Sequence, residues 1–172
     1  MTASRFVLPL LLGLLVLTAG CDSGDPIDEP DPTEVAGTYR FTQFVFEPDA
    51  TAITPANVLA RLDSAGTSLR LTNTRSFLLT YEFESNDLSF IIGNFDLTAG
   101  TVRLNGSGEN PADYQRILLD QQFTLQRNAN QPGVLTASIQ KRVNLQAYNP
   151  QLYAGLESVP GTLRMRLVTT AR

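Results

Sequence analysis

Apolar and polar residues alternate along most of the chain beyond residue 35, and this alternation limits the fold more than any other feature. Between residues 76 and 84, every second side chain is large and apolar, at Phe77, Leu79, Tyr81 and Phe83. Successive side chains of a β-strand point to opposite faces of the sheet, so the pattern predicts a strand with one buried face. The same alternation recurs at Leu69/Leu71, Val102/Leu104, Phe123/Leu125, Leu135/Ala137/Ile139 and Leu163/Met165/Leu167.

Turn-forming residues such as Asn73-Thr74 and Pro160-Gly161 separate these segments, and two longer strands are predicted near residues 37–47 and 88–97. Short connections favour antiparallel neighbours, and closing about eight such strands into a barrel removes the exposed sheet edges. We therefore predict an all-β fold in residues 35–172, an antiparallel meander barrel of about eight strands with two or three short helices.

The first strand changes its apolar face part of the way along. Tyr39 and Phe41 occupy one parity, and Phe44 and Phe46 occupy the other. One extra residue in a strand restores a common face, so the pattern predicts a β-bulge near Thr42.

Three other segments are predicted to be helical. In each, a polar residue precedes a proline, and these residue types suit the N-cap and the first position of a helix. The three pairs are Thr54-Pro55, Asn110-Pro111 and Asn149-Pro150.

The N-terminal residues have the pattern of an export signal. Arg5 precedes an apolar run over residues 6–17, which Pro9 and Gly13 interrupt, and small residues follow it. A positive residue, a short apolar run and small residues are typical of a secretory signal peptide. The run is shorter than the ~20 residues that a membrane-spanning helix needs. We predict that residues 1–20 are a signal peptide.

The single cysteine of the chain, Cys21, follows this segment directly. The sequence Thr18-Ala19-Gly20-Cys21 resembles the lipobox of bacterial lipoproteins. This resemblance implies cleavage between Gly20 and Cys21 and attachment of lipid to the Cys21 thiol, so that the protein is held on a membrane. It implies a bacterial cell-envelope location, with the outer membrane favoured and the leaflet undecided. The competing interpretation is a free thiol.

The segment after Cys21 is acidic and rich in proline. Residues 22–34 contain six acidic residues, three prolines and a single large apolar residue, Ile27. Such a composition cannot bury enough apolar surface to fold by itself, so residues 21–34 are predicted to be a lipidated cysteine and its extended tether. A calcium-binding loop is the alternative for so many carboxylates, but its characteristic ligand spacing is missing.

Composition excludes several classes of function. Without the six tether acids and Arg5, the 17 acidic and 13 basic residues of the whole chain become 11 and 12, so the barrel domain is nearly neutral and no nucleic-acid partner is predicted. Histidine is absent, which excludes Ser-His-Asp and Cys-His catalysis. Glu82 and Glu84 share the outward face of a strand, a poor place for a carboxylate pair that acts on sugars. We predict no catalytic residue, no metal and no cofactor, and therefore not an enzyme.

The start of the first strand carries a second resemblance. Gly37-Thr38-Tyr39 resembles the Gly-x-Trp signature of lipocalins, with Tyr in place of Trp. The predicted helix after this strand is similar to the lid of fatty-acid-binding barrels. Together with the lipobox, these features resemble the lipocalin-like lipoproteins of bacterial envelopes. The resemblance implies a barrel that binds a small hydrophobic ligand.

Two residues are candidates to contact such a ligand. Lys141, the only lysine, falls on the apolar parity of its strand, where its ammonium group could meet a ligand carboxylate. Tyr81 places a hydroxyl group on the inward parity. The alternatives are that Lys141 extends to solvent at the barrel rim and that the core is filled. The protein would then be a structural or protein-interaction module of the envelope.

Replacement of Cys21 tests the lipoprotein interpretation directly. We predict that Cys21→Ser abolishes metabolic labelling of the protein with a palmitate analogue, because the acceptor thiol is lost. Labelling that persists in this variant would contradict the assignment of Cys21 as the lipidated residue.

Overall fold

The computed structural model describes residues 30–83, 87–107, 111–128 and 130–170. Within these ranges the chain forms nine β-strands and two short α-helices. Their bounds are β1 Gly37–Pro48, β2 Ala56–Asn57, β3 Ser68–Leu71, β4 Ser76–Phe83, β5 Asp87–Leu97, β6 Thr101–Gly106, α1 Pro111–Arg116, β7 Gln122–Arg127, β8 Val134–Val143, α2 Leu145–Tyr148 and β9 Val159–Thr169.

Eight of the strands close into an antiparallel barrel. Strands β3 to β9 pair in sequence order, and β1 joins β3 on one side and β9 on the other. The short strand β2 adds only to the far end of β1, where Val45 and Phe46 face Asn57 and Ala56. The predicted all-β meander barrel is therefore confirmed, with its edges removed by the β1–β9 pairing.

The predicted bulge in β1 is also confirmed. Phe41 pairs with Leu167 and Gln43 with Arg166, so Thr42 is the extra residue in the ladder. Its hydroxyl group donates a hydrogen bond to the Arg166 carbonyl oxygen at 3.2 Å. The bulge places Phe44, which is 1% exposed, on the inner face and stacks its ring on Phe41.

The inward faces of the strands form one continuous hydrophobic core. The alternating residues predicted to be buried are buried, except Ile139, which is half-buried. Two inward positions are glycines that admit neighbouring aromatic rings. A Cβ atom at Gly161 would lie 2.6 Å from Phe46 Cζ, and one at Gly93 would lie 2.6 Å from Phe77 Cε1. The absence of a side chain at both positions is therefore part of the core packing.

The two rims of the barrel are closed differently. We call the rim with the β3–β4, β5–β6 and β7–β8 turns the N-terminal rim, because the chain enters there through a 3₁₀ turn, Pro32–Glu34. The predicted tether included these three residues, but the turn binds the barrel through the ion pair of Glu34 with Arg127, 2.6 Å long. The opposite rim, which we call the helical rim, carries α1, α2 and the β1–β3 connection.

Two of the three predicted helices are wrong, and one is confirmed. Helix α1 begins at Pro111, as predicted. After Thr54-Pro55 the chain instead forms β2 and a 3₁₀ turn, Leu59–Arg61, because the backbone there pairs with β1. The lid helix inferred from fatty-acid-binding barrels is consequently absent from the described β1–β3 connection.

The third helix was placed on the wrong side of Asn149. Helix α2 precedes this residue, because Asn144 supplies the N-cap through a 2.8 Å hydrogen bond from the Ala147 amide to its side chain. Leu145 and Tyr148, three residues apart, bury the apolar face of the helix. Asn149 is the C-cap.

The predicted signal peptide, Cys21 and the tether up to residue 29 lie outside the described residues, and their assignment stays a prediction. None of the helices formed by the described residues is long and apolar enough to cross a membrane.

The glycine contacts make a prediction about stability. Gly161→Ala should lower the free energy of unfolding by about 1–3 kcal/mol, because the new methyl group overlaps the Phe46 ring and the β1 backbone. Gly100→Ala is the matched control, since a Cβ atom there meets nothing within 4 Å, and it should change stability by less than ~0.5 kcal/mol. Urea denaturation measures both values. Equal stabilities of the two variants would contradict the tight packing at Gly161.

Candidate functional site

The helical rim contains both predicted ligand contacts. Helix α1 and the residues after it lie over this end of the barrel. Ile117, Leu118 and Leu119, which follow the helix, are buried. Helix α2 packs beside α1, with Leu145 and Tyr148 buried. The rim is therefore covered by two short helices that rest on apolar side chains.

Tyr81 lies fully buried inside the barrel. Its hydroxyl group donates a 2.9 Å hydrogen bond to the Asp113 carbonyl oxygen in α1. Its ring meets Phe83 edge to face, with 5.7 Å between the ring centroids. Burial is the main cause that raises the pKa of Tyr81 above its ordinary value of 10.0. The Tyr81 hydroxyl group thus holds α1 to the barrel wall.

Lys141 points to the other end of the same helix. Its Nζ atom donates to the Leu118 carbonyl oxygen at 3.0 Å and lies 2.6 Å from Asp120 Oδ2. The Lys141 side chain is 10% exposed, whereas that of Asp120 is 59% exposed. Leu118 has φ 58°, a conformation typical of the residue that ends a helix. The positive charge of Lys141 therefore binds the segment that directly follows α1.

Tyr81 and Lys141 are thus brought to one helix, where each has a protein partner. A pocket of about 130 Å³ lies beside Lys141, between the α1–β7 connection and the end of β8. Pockets that enclose drug-sized ligands usually measure ~300–1,000 Å³. In this conformation the site has room for only a small group, and ligand binding by Tyr81 and Lys141 stays a prediction.

Two arginines that lie over aromatic rings at the same rim were not predicted from the sequence. The guanidinium carbons of Arg61 and Arg116 lie 5.5 and 4.4 Å from the centroid of the Phe83 ring. Arg61 also lies 4.6 Å from the Tyr148 ring and donates to the Tyr148 carbonyl oxygen, and Arg116 pairs with Asp87. These contacts join residues far apart in the chain, so strand periodicity gave no signal for them.

A second pocket lies at the opposite end of the barrel. It is an open groove of about 680 Å³ at the N-terminal rim, lined mainly by polar residues of the 3₁₀ turn, β1 and the β3–β4 turn. The groove is too open and polar to enclose a hydrophobic molecule.

Among the described residues, no group of three or more His, Cys, Asp or Glu side chains is arranged to hold a metal ion.

Comparisons with known proteins give little beyond the fold. No protein-family model matches the chain, and no curated protein matches its sequence. A solved structure of a lipocalin-like protein from Bacteroides uniformis aligns with 74% of this chain and 97% of its own, at 13% identity and a TM-score of 0.39. A similarity this low carries no argument about function. The strand topology itself defines a lipocalin-like architecture, a closed eight-stranded up-and-down barrel.

Buried tyrosines make the stability of the barrel sensitive to alkali. Burial raises the pKa values of Tyr39, Tyr81, Tyr148 and Tyr153 above the ordinary value of 10.0. Unfolding lowers these pKa values, so their contribution to stability is complete below pH ~10 and is lost as the pH rises through the folded values.

We therefore predict that tyrosinate absorbance rises together with loss of the β-sheet circular dichroism signal above pH ~10. Tyr81→Phe is the control, because it removes one titrating group and the hydrogen bond to Asp113, at a cost of about 1 kcal/mol near neutral pH. Ionisation of most tyrosines near pH 10 with an unchanged circular dichroism spectrum would contradict the buried environment of these residues.

Proposed function

We propose that the protein is a lipid-anchored, non-enzymatic component of a bacterial cell envelope, built on a lipocalin-like barrel that acts through its outer surface. The outer membrane is the favoured location. The lipobox-like sequence that ends at Cys21 supports the anchor, and the absence of histidine, which excludes the common triads, supports a role without catalysis.

The attachment of the N-terminal segment fits such an anchor. Eight residues, 22–29, separate Cys21 from the first described residue, Pro30. The 3₁₀ turn that follows is held at the N-terminal rim by the ion pair of Glu34 with Arg127. A chain that leaves the barrel from a fixed point suits a domain suspended from a lipid.

The packing inside the barrel is the observation that favours the outer surface as the part of the protein that binds partners. Rings of Phe46 and Phe77 occupy the space above Gly161 and Gly93, and the inward hydroxyl groups of Tyr39 and Tyr81 donate to backbone carbonyl oxygens. An eight-stranded barrel has an interior that either fills with side chains or holds one small ligand. These contacts support the first kind for this barrel.

Binding of a small hydrophobic ligand is the second candidate function. The way α1 is held favours this function. The Tyr81 hydroxyl group donates to the Asp113 carbonyl oxygen in α1, and the Lys141 ammonium group donates to the Leu118 carbonyl oxygen just after it. Release of these two hydrogen bonds would free α1 to move and would expose the apolar residues beneath it. A ligand with a carboxylate group would then find Lys141 at the entrance.

Native mass spectrometry of the mature protein from its own host distinguishes the two functions. The proposed function predicts the mass of the lipidated chain without a bound small molecule, and no uptake of apolar fluorescent probes. A copurifying hydrophobic molecule that is lost in Lys141→Ala would instead establish ligand binding. Arg103→Ala, at an exposed outward position of β6 that does not line the pocket beside Lys141, is the matched control and should retain such a molecule.

A further inference from the structure

The outer wall of the barrel carries one concentrated group of exposed apolar side chains. Leu78 of β4 and Leu88, Phe90 and Ile92 of β5 are 36%, 59%, 64% and 51% exposed, and we call these four residues the lateral stripe. Leu78 pairs directly with Ile92, so the side chains lie side by side on the same face of the β4–β5 hairpin. The stripe runs along about half the length of β5.

Elsewhere the described outer wall is mostly polar. Arg164 pairs with Glu47 at 2.6 Å, and Gln140 donates a 2.7 Å hydrogen bond to Thr162. One other large apolar side chain, Leu152, is exposed among the described residues, at 60%, in the β8–β9 connection. Outward positions of a strand are normally polar, so three large apolar residues at alternate positions of β5 require a reason.

We infer that the lateral stripe is a membrane-contact surface, on which the barrel rests against the lipid headgroups of the bilayer that holds its anchor. This inference rests on the proposed lipidation of Cys21. The nine steps from Cys21 to Pro30 span at most about 30 Å, so an anchored barrel stays within reach of the bilayer surface. A tether of this length gives the stripe a high effective concentration at the membrane, where a weak apolar contact suffices.

The size of the stripe suits a membrane contact. The four exposed fractions correspond to roughly 400 Å² of apolar side-chain surface, which is enough for a weak contact that the lipid anchor reinforces. Insertion to the level of the headgroups needs no complementary protein surface.

The charges beside the stripe fit the same partner. Arg70 of β3 pairs with Leu78, and its side chain is exposed on the outer face. An arginine at the border of an apolar patch can reach lipid phosphate groups while the apolar side chains enter the headgroup layer. Thr80 pairs with Phe90 and is uncharged, whereas Glu82 pairs with Leu88 and places one carboxylate at the end of the stripe nearest the helical rim, where its long side chain can keep the charge in water.

The absence of tryptophan in the chain allows a direct test. Phe90→Trp and Leu152→Trp each introduce a single fluorophore, the first in the stripe and the second at a similarly exposed position in the β8–β9 connection, three to four strands further round the barrel. Each full-length variant is expressed as the lipoprotein and reconstituted into phosphatidylcholine–phosphatidylglycerol vesicles with brominated acyl chains. We expect bromine to quench about half of the fluorescence of Phe90→Trp and little of that of Leu152→Trp.

Three results would overturn the inference. Quenching of neither variant, or equal quenching of both, would show that the stripe does not face the bilayer. The Phe90→Trp fluorophore could instead be shielded from water without being quenched by bromine. If the protein then also forms cross-linked pairs that Phe90→Ser abolishes, the stripe contacts a second copy of the chain.

Palmitate labelling of the same samples tests the anchor separately. Labelled protein with an unquenched Phe90→Trp fluorophore would retain the lipid anchor and reject the stripe. Unlabelled protein in which added vesicles still quench Phe90→Trp selectively would reject the anchor and retain the contact between stripe and membrane.

Discussion

The pairing of β1 with β9 is the constraint on which the rest of the barrel depends. It joins the first long strand to the last over residues 39–48 and 161–169, and it closes the sheet. Closure requires one face of every strand to point inward, so the bulge at Thr42 is needed to keep the aromatic residues on both sides of it in the core. Tyr39 pairs with Thr169, 130 positions later (169 − 39), so this is the most non-local strand pairing of the described sheet and closes its longest loop.

Packing inside the closed barrel is what the proposed function depends on. Glycines at two inward positions let aromatic rings take the central space, and α1 is held over the helical rim through Tyr81 and Lys141. A ligand would therefore have to displace α1, whereas the outer wall is accessible without any movement. The apolar exposure that needs a partner lies on this outer wall, in the lateral stripe.

Strand content, the closed barrel and the bulge could be predicted from the sequence because they depend on side-chain parity, which is a local pattern. The helices at Thr54-Pro55 and Asn149-Pro150 were predicted wrongly because tertiary context decided them: the first segment pairs with β1, and Asn144 provides a better cap than Asn149. The inward parity of Lys141 was predictable, but its partners Leu118 and Asp120 come from a connection that periodicity does not describe.

Native-state hydrogen exchange of the backbone amides tests whether β1 and β9 hold the barrel closed. We predict that amides of these two strands exchange only through global unfolding, while those of α1 exchange through a smaller local opening. Faster exchange in β1 and β9 than in the β4–β5 hairpin would contradict it, because the barrel would then open along its closing pair of strands and give ligands direct access to the interior.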